Sequence, residues 1–254
     1  MKHYLTIALA CTALLLASCQ QDEAPAPNGN QGHIQLRLTT DDALRTRTMQ
    51  DVSDVSTWYA VVSNGTQTLY NQQIGNQLEA MPFDPGTYAI DVRNYDDVDA
   101  ANLANDGWGA AYHTGQASGI EISAGGTAYV HIACGRAHNA KFRLDYSHFS
   151  GIINTLTVST PKQLTFSYAD GTLTRQAFFP PGSTLTYTIN YTIAGSTKTT
   201  EPQTLTLGDA ATVSTLAIKS DISGGITVSL TYDDAFEGET ETDLVIDGTS
   251  GSAA

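Results

Sequence analysis

Trp108 and Tyr112 stand in the glycine-rich stretch Asp106-Gly107-Trp108-Gly109-Ala110-Ala111-Tyr112-His113-Thr114-Gly115. Rings on such a loop can stack on a sugar or anchor a protein contact, so both are candidate ligand contacts. The same placement also suits Trp108 as a plug at one end of a β-sandwich. Tyr187 and Tyr191 are further candidates for sugar stacking. Arg45 and Arg47, in Arg45-Thr46-Arg47-Thr48, follow the first apolar run in a polar stretch. They are candidate sites for an Arg-specific protease.

Catalytic patterns are missing from the sequence. There is no Gly-x-Ser-x-Gly elbow, and nothing couples a serine to a histidine and a carboxylate. His131, His138 and His148 lack the short spacing or paired cysteines of a zinc site. Asp96, Asp97 and Asp99 form one acidic cluster, and Asp233, Asp234 and Glu237 another. Either has oxygen ligands of the kind calcium takes, but neither has the spacing of a calcium loop. A glycosidase would need two carboxylates across a cleft, which these clusters do not supply. No Walker or dinucleotide glycine pattern occurs. The expectation is a non-enzyme with no catalytic residue, no metal site and no cofactor.

Cysteine leaves little for redox chemistry. The chain has 3 cysteines. Cys11 lies in an apolar leader, Cys19 at its end, and Cys134 in the run Tyr129-Val130-His131-Ile132-Ala133-Cys134. Cys134 is in phase with Val130 and Ile132, so it reads as a small core residue. The leader runs from Leu5 to Leu16, too short for a permanent membrane span. It ends in Leu16-Ala17-Ser18-Cys19, which resembles a bacterial lipobox. That resemblance implies cleavage before Cys19 and lipidation of Cys19. Residues 1–18 are then a lipoprotein signal peptide. Residues 19–31 read as a flexible tether, beginning with Gln20-Gln21-Asp22-Glu23. Acidic residues at this position resemble a surface-export signal of Bacteroidetes lipoproteins. The protein is expected in the outer membrane, lipid-anchored and surface-exposed, with membrane lipid as its partner through acylated Cys19.

The composition describes the body that must position these groups. The 254 residues include 12 basic and 26 acidic side chains, a formal net charge of −14. That balance argues against nucleic acid as a partner and against anionic lipid surfaces. Only 15% of residues are charged, against about 25% in ordinary globular chains. Threonine is the commonest residue, and with 12 Tyr and 22 Gly it points to an all-β protein.

Alternation of apolar and polar residues marks half-buried strands. It runs through Ile34, Leu36 and Leu38; through Tyr88, Ile90 and Val92; and through Phe142, Leu144 and Tyr146. It is clearest from Leu185 to Ile193, and recurs through Ile226, Val228, Leu230 and Tyr232. Asn64-Gly65 and Asp170-Gly171 predict hairpin turns, the second between Leu164-Thr165-Phe166 and Leu173. Gly195 predicts another. The best helix candidate is short, from Val98 to Asn105. Roughly a dozen strands is more than one small sandwich needs. The pattern predicts two tandem β-sandwiches, an N-terminal domain over 32–136 and a C-terminal domain over 137–254.

The order of several short motifs carries a family resemblance. They are Gly32-His33-Ile34-Gln35-Leu36-Arg37-Leu38, Asp84-Pro85-Gly86-Thr87-Tyr88-Ala89-Ile90, Tyr112-His113-Thr114-Gly115, Ile122-Ser123-Ala124-Gly125-Gly126-Thr127 and Asn139-Ala140-Lys141-Phe142. In the second half come Leu164-Thr165-Phe166 and Ala177-Phe178-Phe179-Pro180-Pro181-Gly182. Together they resemble a Bacteroidetes surface-lipoprotein family of unknown function, grouped with the fimbrillin-like surface proteins. The resemblance implies two Ig-like or transthyretin-like β-sandwiches and an adhesin or pilus-associated role. It also implies a route to assembly. A protease cuts after an arginine, the first strand leaves, and a neighbouring fimbrial subunit supplies a strand by exchange. Arg45 and Arg47 lie where that cut would release Ile34-Gln35-Leu36-Arg37-Leu38. The polar tail Asp247–Ala254 does not resemble a donor strand, which favours an anchor, a tip or a stand-alone surface protein. The alternative reading is a carbohydrate-binding outer-membrane lipoprotein of a glycan-uptake system, with a glycan or host protein meeting Trp108 and Tyr112.

Overall fold

The computed structural model describes residues 29–40, 50–221, 225–234 and 237–242. Its first sandwich is built from β1 (His33–Thr40), β2 (Gln50–Asp51), β3 (Tyr59–Ser63), β4 (Thr68–Gln73), β5 (Gly86–Arg93), β6 (Thr114–Ile122) and β7 (Thr127–Cys134). One sheet runs β4-β3-β5-β6 and the other β2-β1-β7. Two short helices interrupt the strands, α1 (Gln77–Ala80) and α2 (Val98–Leu103).

The second sandwich holds β8 (Ala140–Asp145), β9 (Ile152–Thr160), β10 (Leu164–Ser167), β11 (Ala177–Phe179), β12 (Thr184–Ile193), β13 (Ser196–Thr199), β14 (Gln203–Thr206), β15 (Val213–Ser220), β16 (Ile226–Asp234) and β17 (Glu237–Thr242). One sheet runs β10-β9-β12-β13, with β14 also on β12; the other runs β11-β8-β15-β16-β17.

Alternation places the cores. Ile34, Leu36 and Leu38 of β1 meet Ala60, Val62, Ile90, Val92, Val130 and Ile132 in the first core. Phe142, Leu156, Phe166, Leu185, Tyr187, Ile189 and Val228 share the second. Threonine covers the wet faces without charge. Its hydroxyls bond across strands, as between Thr192 and Thr197 at 2.9 Å. Asn154 likewise donates to Asn190 across β9 and β12 at 2.8 Å. Such pairs suit a pleated half-buried surface.

Each sandwich pairs its opening strand in parallel with a late one. β1 lies along β7, from His33 opposite Thr127 to Thr40 opposite Cys134. β8 lies along β15, from Lys141 opposite Val213 to Asp145 opposite Ala217.

Asn64-Gly65 forms the β3–β4 hairpin, and Ala194-Gly195 the β12–β13 hairpin. Asp170-Gly171 forms a turn but not a hairpin. β10 pairs back onto β9. Thr172 closes a loop onto Ser167, donating its N–H to Ser167 O while its hydroxyl accepts the Ser167 N–H. Leu173 then turns into the core instead of starting a strand.

Cys134 ends β7 and is buried. A Cβ on Gly115 would come within 2.8 Å of its sulfur, so glycine lets β6 cross closely over it. Burial pushes the Cys134 thiol up to about 12. A thiol in that state is not a nucleophile at neutral pH. Cys134 should therefore resist iodoacetamide in the folded protein and react fully in guanidinium, as read by peptide mass mapping.

Candidate functional site

Between β5 and β6 the backbone leaves the first sandwich. Asn94 closes the base of this excursion. Its side-chain amide donates to Ala111 O at 2.7 Å and accepts the His113 N–H at 2.9 Å. Asp97 caps α2, accepting the Ala100 N–H at 2.7 Å. Four residues with positive φ then turn the chain: Asn105, Asp106, Gly107 and Gly109. Gly109 is required twice over. Its φ is +80°, and a Cβ there would lie 2.9 Å from Phe178 Cβ.

This turn delivers Trp108 into the second sandwich, although its sequence position falls in the expected N-terminal domain. Trp108 is 7% exposed and belongs to the second core. Its ring meets Phe166 edge-on at 4.8 Å, and the Arg175 guanidinium lies 4.1 Å from its centroid. Its carbonyl accepts the Phe178 N–H at 2.8 Å. The indole is thus packed into the second core, in the place of the plug that the sequence also allowed. Tyr187 and Tyr191 are likewise core residues, so neither offers a stacking face.

Buried polar groups staple the excursion to its new host. The Asn139 amide donates to Asn102 Oδ1 at 3.0 Å and to Ala110 O at 2.8 Å, and it accepts the Tyr112 N–H at 3.1 Å. Lys162 Nζ donates to Asn102 O at 2.6 Å and Phe178 O at 2.7 Å, and lies 4.5 Å from the Phe179 centroid. Burial lowers the Lys162 pKa to about 8.

Tyr112 is half-buried, tilted against the His138 ring at 5.8 Å. Burial raises the Tyr112 phenol pKa, with the Arg93 charge lowering it and the Asp97 charge raising it. His138 bonds Thr114 Oγ1 at 2.7 Å, and His131 bonds Thr39 Oγ1 at 3.1 Å. The histidines do not converge with His148. Among the described residues no three His, Cys, Asp or Glu side chains gather to hold a metal.

The removable strand of the sequence reading is β1. Ile34, Leu36 and Leu38 are buried, yet β1 has one long neighbour, β7. On its other side, among the described residues, the two-residue β2 pairs with Thr39 and Thr40, and the Val52 N–H donates to Leu38 O at 2.9 Å. Burying three such side chains is worth about 1.5–3 kcal/mol each. That sum rivals the whole stability of a domain, about 5–15 kcal/mol. Loss of β1 would leave an apolar slot that needs a replacement. Cys19, Arg45 and Arg47 lie outside the described residues, as does residue 20–28 of the expected tether.

A family model described as Domain of unknown function (DUF4493) matches residues 30–247. The chain belongs to that family. The matched span of this DUF4493 chain includes both sandwiches and the excursion that joins them. Among curated proteins none matches it in sequence. Similar solved structures include a fimbrial assembly protein from Parabacteroides distasonis, with TM-score 0.44 and 8% identity, covering 83% of this chain and 98% of that one. A candidate cell adhesion protein from Bacteroides ovatus has TM-score 0.41 and 10% identity, covering 85% and 99%. A fimbrial protein from Bacteroides ovatus has TM-score 0.34 and 7% identity, covering 89% and 55%. Among the described residues no helix is long and apolar enough to cross a membrane.

Trp108→Ala should cost about 3–5 kcal/mol by creating a core cavity, measured by urea unfolding, with Trp108→Phe intermediate. Lys162 gives a pH signature. Its pKa is about 8 folded against 10.5 unfolded, so in that interval the unfolded chain holds more protons. Its contribution is present above 10.5 and lost as pH falls through about 8. Lys162→Met should flatten the rise in urea midpoint between about pH 7.5 and about pH 9.5.

Proposed function

We propose that this protein is a non-catalytic surface protein of the outer membrane, lipid-anchored through Cys19, acting as a fimbrillin-like adhesin or pilus-associated component. The observation that carries the reading is the setting of β1. It is the first described strand, it fills an apolar slot with three alternating side chains, and among the described residues it has one long neighbour. Such a strand can be replaced by one of the same pattern from another subunit without disturbing the other sheet. Arg45 and Arg47 follow β1 directly, where a cut would release it.

The leader and Leu16-Ala17-Ser18-Cys19 support the anchor. Acyl chains on Cys19 would hold the protein to outer-membrane lipid, each buried methylene adding about 0.8 kcal/mol. The polar stretch after Cys19 gives the sandwiches reach from the surface.

The N-terminus decides between assembly and permanent anchoring. Mass spectrometry of the protein from native outer membranes should find acylated Cys19 in the precursor and a new terminus at Thr46 or Thr48 in the assembled form. Acylated Cys19 as the sole terminus would overturn strand exchange and leave an anchored monomer. Release of the protein unchanged by Cys19→Ser would overturn the anchor.

A further inference from the structure

A second group of aromatic and amide side chains lies on the outside of the first sandwich. Tyr59 opens β3, with Gln73 of β4 directly opposite on one side and Arg93 of β5 on the other. Cross-strand partners share a face, so the three project together. The chain then passes through Tyr95 and Asp96 before α2. Tyr59, Gln73, Tyr95 and Asp96, with Thr57 and buried Trp58, line an open groove of about 490 Å³, and Arg93 lies beside it through Tyr59. That volume falls in the range of small-ligand sites, about 300–1,000 Å³.

The groove's chemistry is polar and aromatic together. Tyr59 and Tyr95 are half-exposed, while Thr57, Gln73 and Asp96 are exposed. The Arg93 guanidinium sits 5.4 Å from the Tyr59 centroid and 3.8 Å from Asp96 Oδ1. It is held there by the pair, while its buried Nε has no hydrogen-bond partner.

From this arrangement we infer that the groove binds a neutral sugar, one or two hexopyranose units long. Tyr95, and Tyr59 on the face away from the Arg93 guanidinium, supply rings of the kind that stack on the apolar C–H face of a pyranose. A carboxylate and an amide at the rim accept and donate to its ring hydroxyls. The charge argues for a neutral ligand. Asp96 lines the groove, Asp97 and Asp99 follow it in the chain, the whole chain is −14, and Arg93 lies 3.8 Å from Asp96 Oδ1. An acidic sugar would meet that field unfavourably. The mixed lining equally disfavours a purely apolar guest. This site lies at different residues from the Trp108 loop, and it needs no loss of β1, so it goes beyond the assembly reading and can fail independently of it.

The test uses the full chain in detergent, with β1 in place. The probes are methyl α-mannoside, methyl β-galactoside, methyl β-glucoside and N-acetylglucosamine, with N-acetylneuraminic acid as the anionic comparison. Saturation-transfer NMR should show transfer to the C–H protons of at least one neutral glycoside. Tyr59→Ala and Tyr95→Ala should each weaken that binding about tenfold or more, with an unchanged thermal midpoint. The exposed Gln73→Ala gives the same loss without touching an aromatic, should Tyr59→Ala fail to fold. Absence of transfer from every neutral glycoside overturns the inference. So does binding that Tyr95→Ala and Gln73→Ala leave intact, or binding of the anionic sugar alone.

Discussion

A backbone segment that leaves its own sheet must still pair its amides, and this requirement governs how the two sandwiches are joined. The excursion after β5 runs into the second sandwich, away from its own ladder. Asn139 serves it with one side chain, reaching Asn102, Ala110 and Tyr112 at once. Lys162 satisfies two more carbonyls from the other side. With those groups paired, Trp108 can be buried in a core formed by the other half of the chain. The junction is therefore a polar network around an apolar plug, and the stretch 135–139 is stapled rather than a loose linker. His113 and His138 belong to that staple through Gly135 O and Thr114.

The second organising feature is the repeated parallel pairing of the opening strand. β1 and β8 occupy equivalent places, but their surroundings differ. β8 has β11 on one side and β15 on the other. β1 has β7 on one side and little more than two residues of β2 on the other. Removing β8 would split a five-stranded sheet between long strands, whereas removing β1 would part β7 from the two-residue β2. The same topology thus makes β8 an inner strand of its sheet and leaves β1 with one long described neighbour. Ile34, Leu36 and Leu38 are buried, so loss of β1 would uncover apolar surface in the first core.

The aromatic residues divide by which face they reach. Trp108, Tyr187 and Tyr191 face inward and build the second core. Tyr59 and Tyr95 face outward, beside amides and a carboxylate. A ring's chemistry is the same in both places; burial decides whether it packs into a core or stays open to solvent.

Much of the β architecture was legible in the sequence, because strand periodicity is local. Ile34, Leu36 and Leu38, the Leu185–Ile193 run and the turns at Asn64-Gly65 and Gly195 name their own faces and hairpins. Cys134 could be read as a core residue from its phase alone. Tertiary structure decided which strands meet. The β1–β7 and β8–β15 pairings join segments far apart in the chain, and alternation carries no record of a distant partner. It also decided that Leu173 fills a core without a strand, and that Trp108 lodges in the neighbouring sandwich. The groove of Tyr59, Gln73 and Tyr95 was invisible for the same reason. Its residues come from β3, β4 and the loop after β5, and only sheet pairing brings them to one face. Local patterns determine which side of a strand is apolar; the closing of sheets upon one another determines what that side touches.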